Sequence, residues 1–145
     1  MKKIFSIMAA RAVSMCLFSC GESPSKVDYS VADGYFVRND VQGRVPGTIS
    51  SQELFSEWFG TAAVMGGLPT PIDFASKCVI PIDLGKRDID TTIEIEDVEV
   101  PSKGKIRVLY KIIEDEPISY TMRPCALVLV DSKYAGYDLE LKVVE

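Results

Sequence analysis

Acidic side chains are the residues of this chain best suited to chemistry, because several of them fall close together in one segment. Two carboxyl groups held about 5 to 10 Å apart could hydrolyse a glycosidic bond, and carboxylate oxygens are the ligands that Ca²⁺ prefers. Acids at alternate strand positions are equally typical of a solvated face, where charge discourages further strand pairing. The solvated face is the favoured interpretation, and a carboxylate-based glycan hydrolase and a calcium site stay open as alternatives. The acids are Asp88, Asp90, Glu94, Glu96, Asp97 and Glu99.

The chain contains no histidine. This removes Ser-His-Asp and Cys-His nucleophilic pairs, histidine-rich zinc sites and the commonest general base at neutral pH. The sequence also has neither a P-loop nor a Gly-x-Gly-x-x-Gly turn, so nucleotide chemistry has no support. We therefore predict a protein that is not an enzyme and that uses no cofactor or metal.

Cysteine is the other residue type that can carry chemistry here, and the chain has four. Cys20 ends the segment Leu17-Phe18-Ser19-Cys20, which resembles the lipobox of bacterial lipoproteins. Residues 1–19 contain three basic residues, no acid and two apolar runs, the layout of an export signal. The resemblance implies cleavage before Cys20, acylation of its sulfur and permanent attachment to a membrane. A plain cleaved signal and a retained N-terminal anchor are the alternatives.

Removing residues 1–19 takes away three of the 16 basic residues and none of the 21 acidic ones, which leaves a net charge of −8. Such a charge gives no attraction to nucleic acid or to anionic lipid headgroups. We expect a cell-envelope protein held at the outer membrane, the cell surface or the periplasmic side by its lipid alone.

Cys78 and Cys125 remain once Cys16 leaves with the signal and Cys20 is acylated. An oxidising envelope permits a disulfide between them. The sequence leaves open the alternative that they are two small buried side chains on separate strands.

The elements that would position these residues begin after a short tether. Residues 20–28 are small and polar and predict a flexible tether, so the folded domain is expected over residues 29–145. Two extended runs around Asp33-Gly34 predict a hairpin.

One amphipathic helix is predicted within residues 49–60. Ser50 and Glu53 match a capping box, and Gly60 stands where a left-handed C-terminal residue belongs. Its aromatic face predicts that Trp58 and Phe59 lie in the core. The loop at residues 62–74 follows, with Met65, Leu68 and Pro69 as an alternative exposed contact patch.

From residue 76 onward, segments that alternate between apolar and polar side chains are separated by turn residues, which predicts strands. Pro81 predicts that the first of them lies at an edge or an irregular pairing. The apolar positions change phase near Glu96 and Asp97, which predicts a bulge. The fold class is therefore mainly β (α+β): an antiparallel β-sandwich or small barrel with one short helix before the main strands.

Residues 69–145 also carry a family resemblance. Asp73-Phe74, the apolar strand that ends at Leu84-Gly85, an Ile-alternating strand, and Pro124 before a Val/Leu strand resemble uncharacterised lipoproteins of Bacteroides-type bacteria. More distantly, they are similar to the C-terminal domain of PrcB subunits of bacterial surface protease complexes. The resemblance implies a β-rich, non-catalytic accessory domain that docks on a partner protein.

Together these patterns predict a lipid-anchored binding or accessory module for a protein or a glycan. A glycan surface would use Tyr120, Tyr134 and Tyr137, although tyrosines on a sheet more often pack across strands. A second possibility is an inhibitor of secreted proteases that presents Lys103-Gly104 or Lys86-Arg87 from a turn.

Overall fold

The computed structural model describes residues 24–62 and 67–145 of the chain. These residues form nine strands, one α-helix and one 3₁₀ helix. The elements are β1 (Ser25–Lys26), β2 (Ser30–Ala32), β3 (Tyr35–Val37), α1 (Gln52–Trp58), β4 (Phe59–Thr61), β5 (Lys77–Asp83), β6 (Arg87–Ser102), β7 (Lys105–Met122), β8 (Cys125–Asp131), the 3₁₀ helix (Ser132–Tyr134) and β9 (Asp138–Val143).

The strands assemble into three sheets. A four-stranded sheet has the order β1-β6-β7-β9, a three-stranded sheet has the order β2-β8-β5, and β3 pairs with β4 as a ribbon. The described residues contain no closed barrel, so the sandwich is confirmed and the barrel is not. No helix within residues 24–62 and 67–145 is both long enough and apolar enough to cross a membrane.

The three-stranded sheet is the middle layer and is covered on both faces. Cys78, Ile80 and Ile82 of β5 pack towards the four-stranded sheet, together with alternate residues of β8. Val79 and Leu127 point the other way and pack under Phe55 of α1 and its neighbours. Two-sided burial explains why β5 and β8 are continuous apolar runs in the sequence.

Pro81 lies on the outer edge of the middle sheet, as its sequence predicts. Ile49 and Val79 exchange two backbone hydrogen bonds of 2.8 Å on the side of β5 away from β8. Pro81 shares the alternation of Val79, so the N–H group that proline lacks would also have pointed away from β8. Pro81 therefore removes no hydrogen bond from the pairing between β5 and β8.

The predicted bulge is confirmed, because the pairing of β6 with β7 shifts register between Ile95 and Asp97. β7 continues through Pro117, although proline cannot donate a hydrogen bond to the ladder. Pro117 is paired with Ile89, and the register shifts on both sides of Ile89, so proline is accommodated in an irregular part of the ladder.

The predicted hairpin around Asp33-Gly34 is also wrong. Both extended runs are strands, but β2 pairs with β8 whereas β3 pairs with β4. Gly34 has a φ of +90°, and a Cβ there would lie 2.7 Å from the Cα of Pro69. The chain therefore turns between two sheets at this glycine and does not fold back on itself.

The helix forms where predicted, with different ends. Its N-cap is Ser51, whose side chain accepts a hydrogen bond from Leu54 N–H at 3.2 Å, and not Ser50. At the other end the backbone becomes extended at Phe59, so Gly60 is a β4 residue paired with Phe36. A Cβ on Gly60 would lie 2.9 Å from the Phe36 ring. Glycine is therefore needed here because the Phe36 ring lies against the backbone, and not because the helix ends.

Part of the tether predicted for residues 20–28 belongs to the fold. Ser25 and Lys26 pair with β6, and Val27 is buried and donates a backbone hydrogen bond to Val98 at 2.9 Å. Within the described residues the fold therefore includes Ser25 to Val27, which lie before residue 29, where it was expected to begin. The pairings are antiparallel except for one, because β9 runs parallel to β7.

Candidate functional site

A cleft of about 440 Å³ opens beside the outer edge of β5, and we refer to it as the edge cleft. The loop Gly43–Gly47 forms one wall, the end of β5 and the turn after it form the other, and Leu141 of β9 closes one side. Its lining residues are Gly43, Arg44, Val45, Pro46, Gly47, Pro81, Asp83, Leu84, Gly85, Arg123 and Leu141.

The edge cleft exists because strand pairing stops after one bridge. Continuing the register of the Ile49–Val79 bridge would bring Gly47 opposite Pro81. Pro81 has no N–H to donate, so the loop gains no further ladder hydrogen bond and separates from β5. The cleft volume falls in the range of small-ligand sites, which is about 300 to 1,000 Å³.

A charged pair lies at one end of the edge cleft. Arg123 donates from Nε to Oδ1 of Asp83 at 3.0 Å and from Nη2 to Oδ2 at 2.6 Å, and Gly85 N–H donates to Oδ1 at 3.0 Å. The side chains of Asp83 and Arg123 are only 12% and 21% exposed. This bidentate geometry fixes both groups in position.

The same contacts set the charge of Asp83. Burial on its own would raise the pKa of this carboxyl, but the hydrogen bonds from Arg123 and Gly85, with the positive charge of Arg123, outweigh burial and hold the pKa below its ordinary value. Asp83 stays ionised and paired, so it is poorly suited to transferring protons near neutral pH.

Arg44 supplies a second guanidinium group to the edge cleft. It is exposed, and within residues 24–62 and 67–145 no carboxylate lies within ion-pair distance of it. Around it the cleft walls are aliphatic, formed by Val45, Pro46, Leu84 and Leu141. The arrangement offers a cation and an apolar surface to the same ligand.

The acidic segment singled out in the sequence lies elsewhere, along β6. Asp88, Asp90, Glu94 and Glu96 are exposed, as a solvated face requires. Among the described residues, no cluster of three or more ligating side chains could hold a metal ion.

Glu99, the last acid of that segment, differs from the others because it is buried. It accepts a hydrogen bond from Arg107 at 3.0 Å, and Arg107 also donates to Glu140 at 2.9 Å. Lys26 stands beside Glu99 in the strand register and pairs with Asp97. A row of alternating charges therefore crosses all four strands of the outer sheet.

Cys20, the predicted lipidation site, lies outside the described residues. Cys78 and Cys125 are free thiols, so the disulfide left open by the sequence is not formed. They lie at opposite ends of the β5–β8 pairing and on opposite faces of the middle sheet, where burial raises the pKa of both thiols. Cys78 and Cys125 are therefore two small side chains on separate strands, which was the other alternative.

The tyrosines proposed for a glycan surface do not form one platform. Tyr134 and Tyr137 contact each other edge to face at a centroid distance of 5.1 Å and pack against the core, whereas Tyr120 is exposed on β7. Of the predicted protease-binding turns, Lys103-Gly104 lies in the tight turn between β6 and β7. Arg87 of the other turn pairs with Glu114 at 2.9 Å.

Only part of the predicted apolar contact patch at residues 62–74 can be located. Leu68 is 92% exposed, whereas Pro69 is partly buried against Gly34. Met65 lies outside the described residues. Thr70 fixes the end of this loop, because its backbone N–H donates to Asp33 and its carbonyl accepts from the Tyr35 hydroxyl.

Sequence reasoning did not single out the edge cleft. Asp83 is the last residue of the apolar strand β5, and Arg123 comes shortly before the apolar strand β8. An acid at the end of one buried strand and a base just before its neighbour are a signal for such a pair. Arg44 carries no comparable signal, because its position depends on where the loop separates from β5. Comparison of the chain with protein-family models, curated proteins and solved structures finds no match.

Proposed function

We propose that this chain is a lipid-anchored accessory protein of the cell envelope, and that its edge cleft binds an extended segment of a partner protein. The observation that carries the proposal is the exposed guanidinium of Arg44, which has no ion-pair partner among the described residues. It lines the edge cleft together with aliphatic side chains, where the edge of β5 is left open beyond the Ile49–Val79 bridge. The resemblance to accessory domains of surface protease complexes points to the same class of function.

Attachment through Cys20 is supported by the sequence pattern that ends there. Only five residue steps separate Cys20 from Ser25, the first residue of β1. An extended chain spans at most about 3.6 Å per residue, so the domain would be held within roughly 20 Å of the acylated sulfur. An accessory protein attached in this way would meet partners at the membrane surface.

A protein ligand suits the edge cleft better than a glycan does. The carbonyl of Pro81 follows the alternation of Val79 and points towards the cleft, where an extended backbone could donate to it. The apolar lining residues are aliphatic and none of the described lining residues is aromatic, whereas sugars are usually held by exposed aromatic faces. Arg44 adds a preference for a segment that carries a carboxylate next to an apolar side chain.

The cleft geometry favours binding over hydrolysis. Glycoside hydrolysis needs two carboxyl groups that face each other across the bond. Asp83 is the one carboxylate among the described lining residues, and Arg123 and Gly85 already occupy its oxygens. The acids of β6 lie instead on a solvated face.

The anchor is tested by intact mass and membrane partitioning of the protein expressed with its own signal, beside a Cys20→Ser variant. A mature chain that begins at Cys20 with a lipid mass increment, lost in the variant, would support the proposal. A soluble chain without that increment would overturn the anchor.

The cleft is tested by cross-linking envelope extracts to the anchored wild type, to Arg44→Glu and to Lys133→Glu. Lys133 is a matched control, because it lies near Lys77 at the end of β5 away from the cleft and undergoes the same charge change. We expect a protease-sensitive partner that is lost with Arg44→Glu and kept with Lys133→Glu. A partner kept by both variants, or one removed by glycosidases, would overturn the cleft as the protein-binding site.

A further inference from the structure

The outer edge of β9 carries a row of backbone groups that face away from its sheet. Asp138 N–H donates to Gly104 at 2.9 Å and Val144 N–H donates to Tyr110 at 2.8 Å, so the even-numbered residues of β9 bond to β7. Alternation along the strand then turns the N–H and C=O groups of Leu139, Leu141 and Val143 outwards. Within the described residues no strand pairs with this edge.

The edge of β9 also exposes apolar side chains. Leu141 is 41% exposed and Val143 is 49% exposed, both on the face of the strand that points to the core. Folded proteins usually protect an open edge with charge, proline or shortness.

The other sheet edges in the described part of the chain show those protections. β1 has two residues, β2, β3 and β4 have three each, and β5 contains Pro81 and is bridged by Ile49. The length of β6 that β1 leaves uncovered carries exposed acids at alternate positions, and the uncovered length of β7 contains Glu114–Pro117. β9 also carries charged side chains, but among the described edges it differs in combining six residues, no proline and two half-exposed aliphatic side chains.

The sequence of β9 is complementary to itself when it is read antiparallel. If Leu141 is placed opposite Leu141 of a second copy, Leu139 faces Val143 of that copy through the outward backbone groups. The same register brings Glu140 opposite Lys142 and Lys142 opposite Glu140 on the outer face. All three apolar residues of β9, and Glu140 with Lys142, find complementary partners in one two-fold arrangement, whereas Asp138 falls opposite Val144.

We propose that two copies of this chain associate through antiparallel pairing of β9 with β9, centred on Leu141. The two four-stranded sheets become one continuous eight-stranded sheet, and Leu141 and Val143 become covered. Because Leu141 also lines the edge cleft, the two clefts lie on either side of the two-fold axis. This inference concerns association between copies and holds whether or not Cys20 is acylated.

The register is tested by charge changes measured with sedimentation velocity on the full chain in mild detergent. Lys142→Glu places two acids opposite two acids, and Glu140→Lys places two bases opposite two bases, so each variant should dissociate at about tenfold higher concentration than the wild type. Mixing the two variants restores both attractive pairs, and we expect a mixed dimer at wild-type concentrations. A monomeric wild type, or variants that dimerise alone as well as they do together, would overturn the proposal.

The backbone pairing is tested separately with Leu141→Pro. Proline removes an N–H that faces outwards and none that bonds to β7, so the monomer should keep its circular dichroism spectrum while the dimer is lost. A Leu141→Pro dimer as tight as the wild type would overturn pairing through this edge. If the substitution unfolds the chain, the mixing of the two charge variants decides the question.

Discussion

The ion pair at one end of the edge cleft gives the sharpest stability prediction. Asp83→Asn keeps the shape of the side chain but removes its charge and replaces one acceptor oxygen by an N–H₂ group that faces Arg123. At least one of the two charge-assisted hydrogen bonds is lost, and Arg123 is left 21% exposed beside a neutral partner. Hydrogen bonds to charged groups contribute about 1.5 to 3 kcal/mol. We expect the free energy of unfolding to fall by about 2 kcal/mol, less than for a fully buried pair.

Asp40→Asn is a matched control for this substitution. Arg38 holds Asp40 in the same bidentate way, at 3.0 and 2.7 Å, but the side chains are 42% and 65% exposed. Solvent screens such a pair, so its loss should fall within the error of a urea denaturation experiment. Equal losses for the two variants, or no loss for Asp83→Asn, would refute the reasoning from burial.

The pH dependence supplies a second check on Asp83. Its pKa is lowered in the folded protein, so the stabilisation is fully present above the unfolded value of about 3.9 and is lost as the pH falls through the folded value. The difference between wild type and Asp83→Asn should therefore be constant at neutral pH and shrink below about pH 4. A difference that grows on acidification would contradict the assigned direction.

Three further predictions concern the core, a turn and the start of the fold, each measured by urea denaturation. Phe55→Ala should lower the free energy of unfolding by about 4 kcal/mol, because this ring is buried among three other aromatic rings. Trp58 is half-buried, so Trp58→Ala should lower it by about 2 kcal/mol. Equal losses for the two variants would contradict the observed burial. Gly34→Ala should cost more than the roughly 1 kcal/mol expected for Gly43→Ala, since both have φ near +90° but only Gly34 meets backbone atoms within 3 Å. Val27→Ala should lower the free energy of unfolding by about 2 kcal/mol, because Val27 is buried. An unchanged free energy of unfolding would mean that residue 27 belongs to the tether.

Much of the middle layer could be predicted from the sequence. A strand that is buried on both faces needs apolar side chains on both, so the continuous apolar runs predict β5 and β8. Pro81 predicts that β5 lies at a sheet edge, because proline cannot donate a hydrogen bond to a neighbouring strand. The bulge near Asp97 followed from the period of two. These features depend on neighbours along one strand, which the sequence displays directly.

The errors arose where a distant segment determines the local structure. Asp33-Gly34 has the residue types of a hairpin turn. The two strands beside it do not pair with each other, because β2 pairs with β8 and β3 pairs with β4. Gly60 looks like a helix terminator, but its reason is the Phe36 ring on the neighbouring strand. The parallel direction of β9 and the separation of the Gly43–Gly47 loop from β5 likewise depend on long-range packing, so the edge cleft could not be predicted.

The way the strands are connected also governs how quickly the fold can form. The β6–β7 pair is joined by the turn at Lys103-Gly104, whereas β2 must find β8 across about a hundred residues of chain and β5 must find β8 across more than forty. Strands that are distant in sequence can pair only after a long loop has closed, and the entropy lost in closing that loop slows folding. We therefore expect the β6–β7 hairpin to form early and the middle sheet late, with folding over milliseconds to seconds. During that interval the apolar strands β5 and β8 are exposed together, and a chain in this state would depend on chaperones to avoid aggregation.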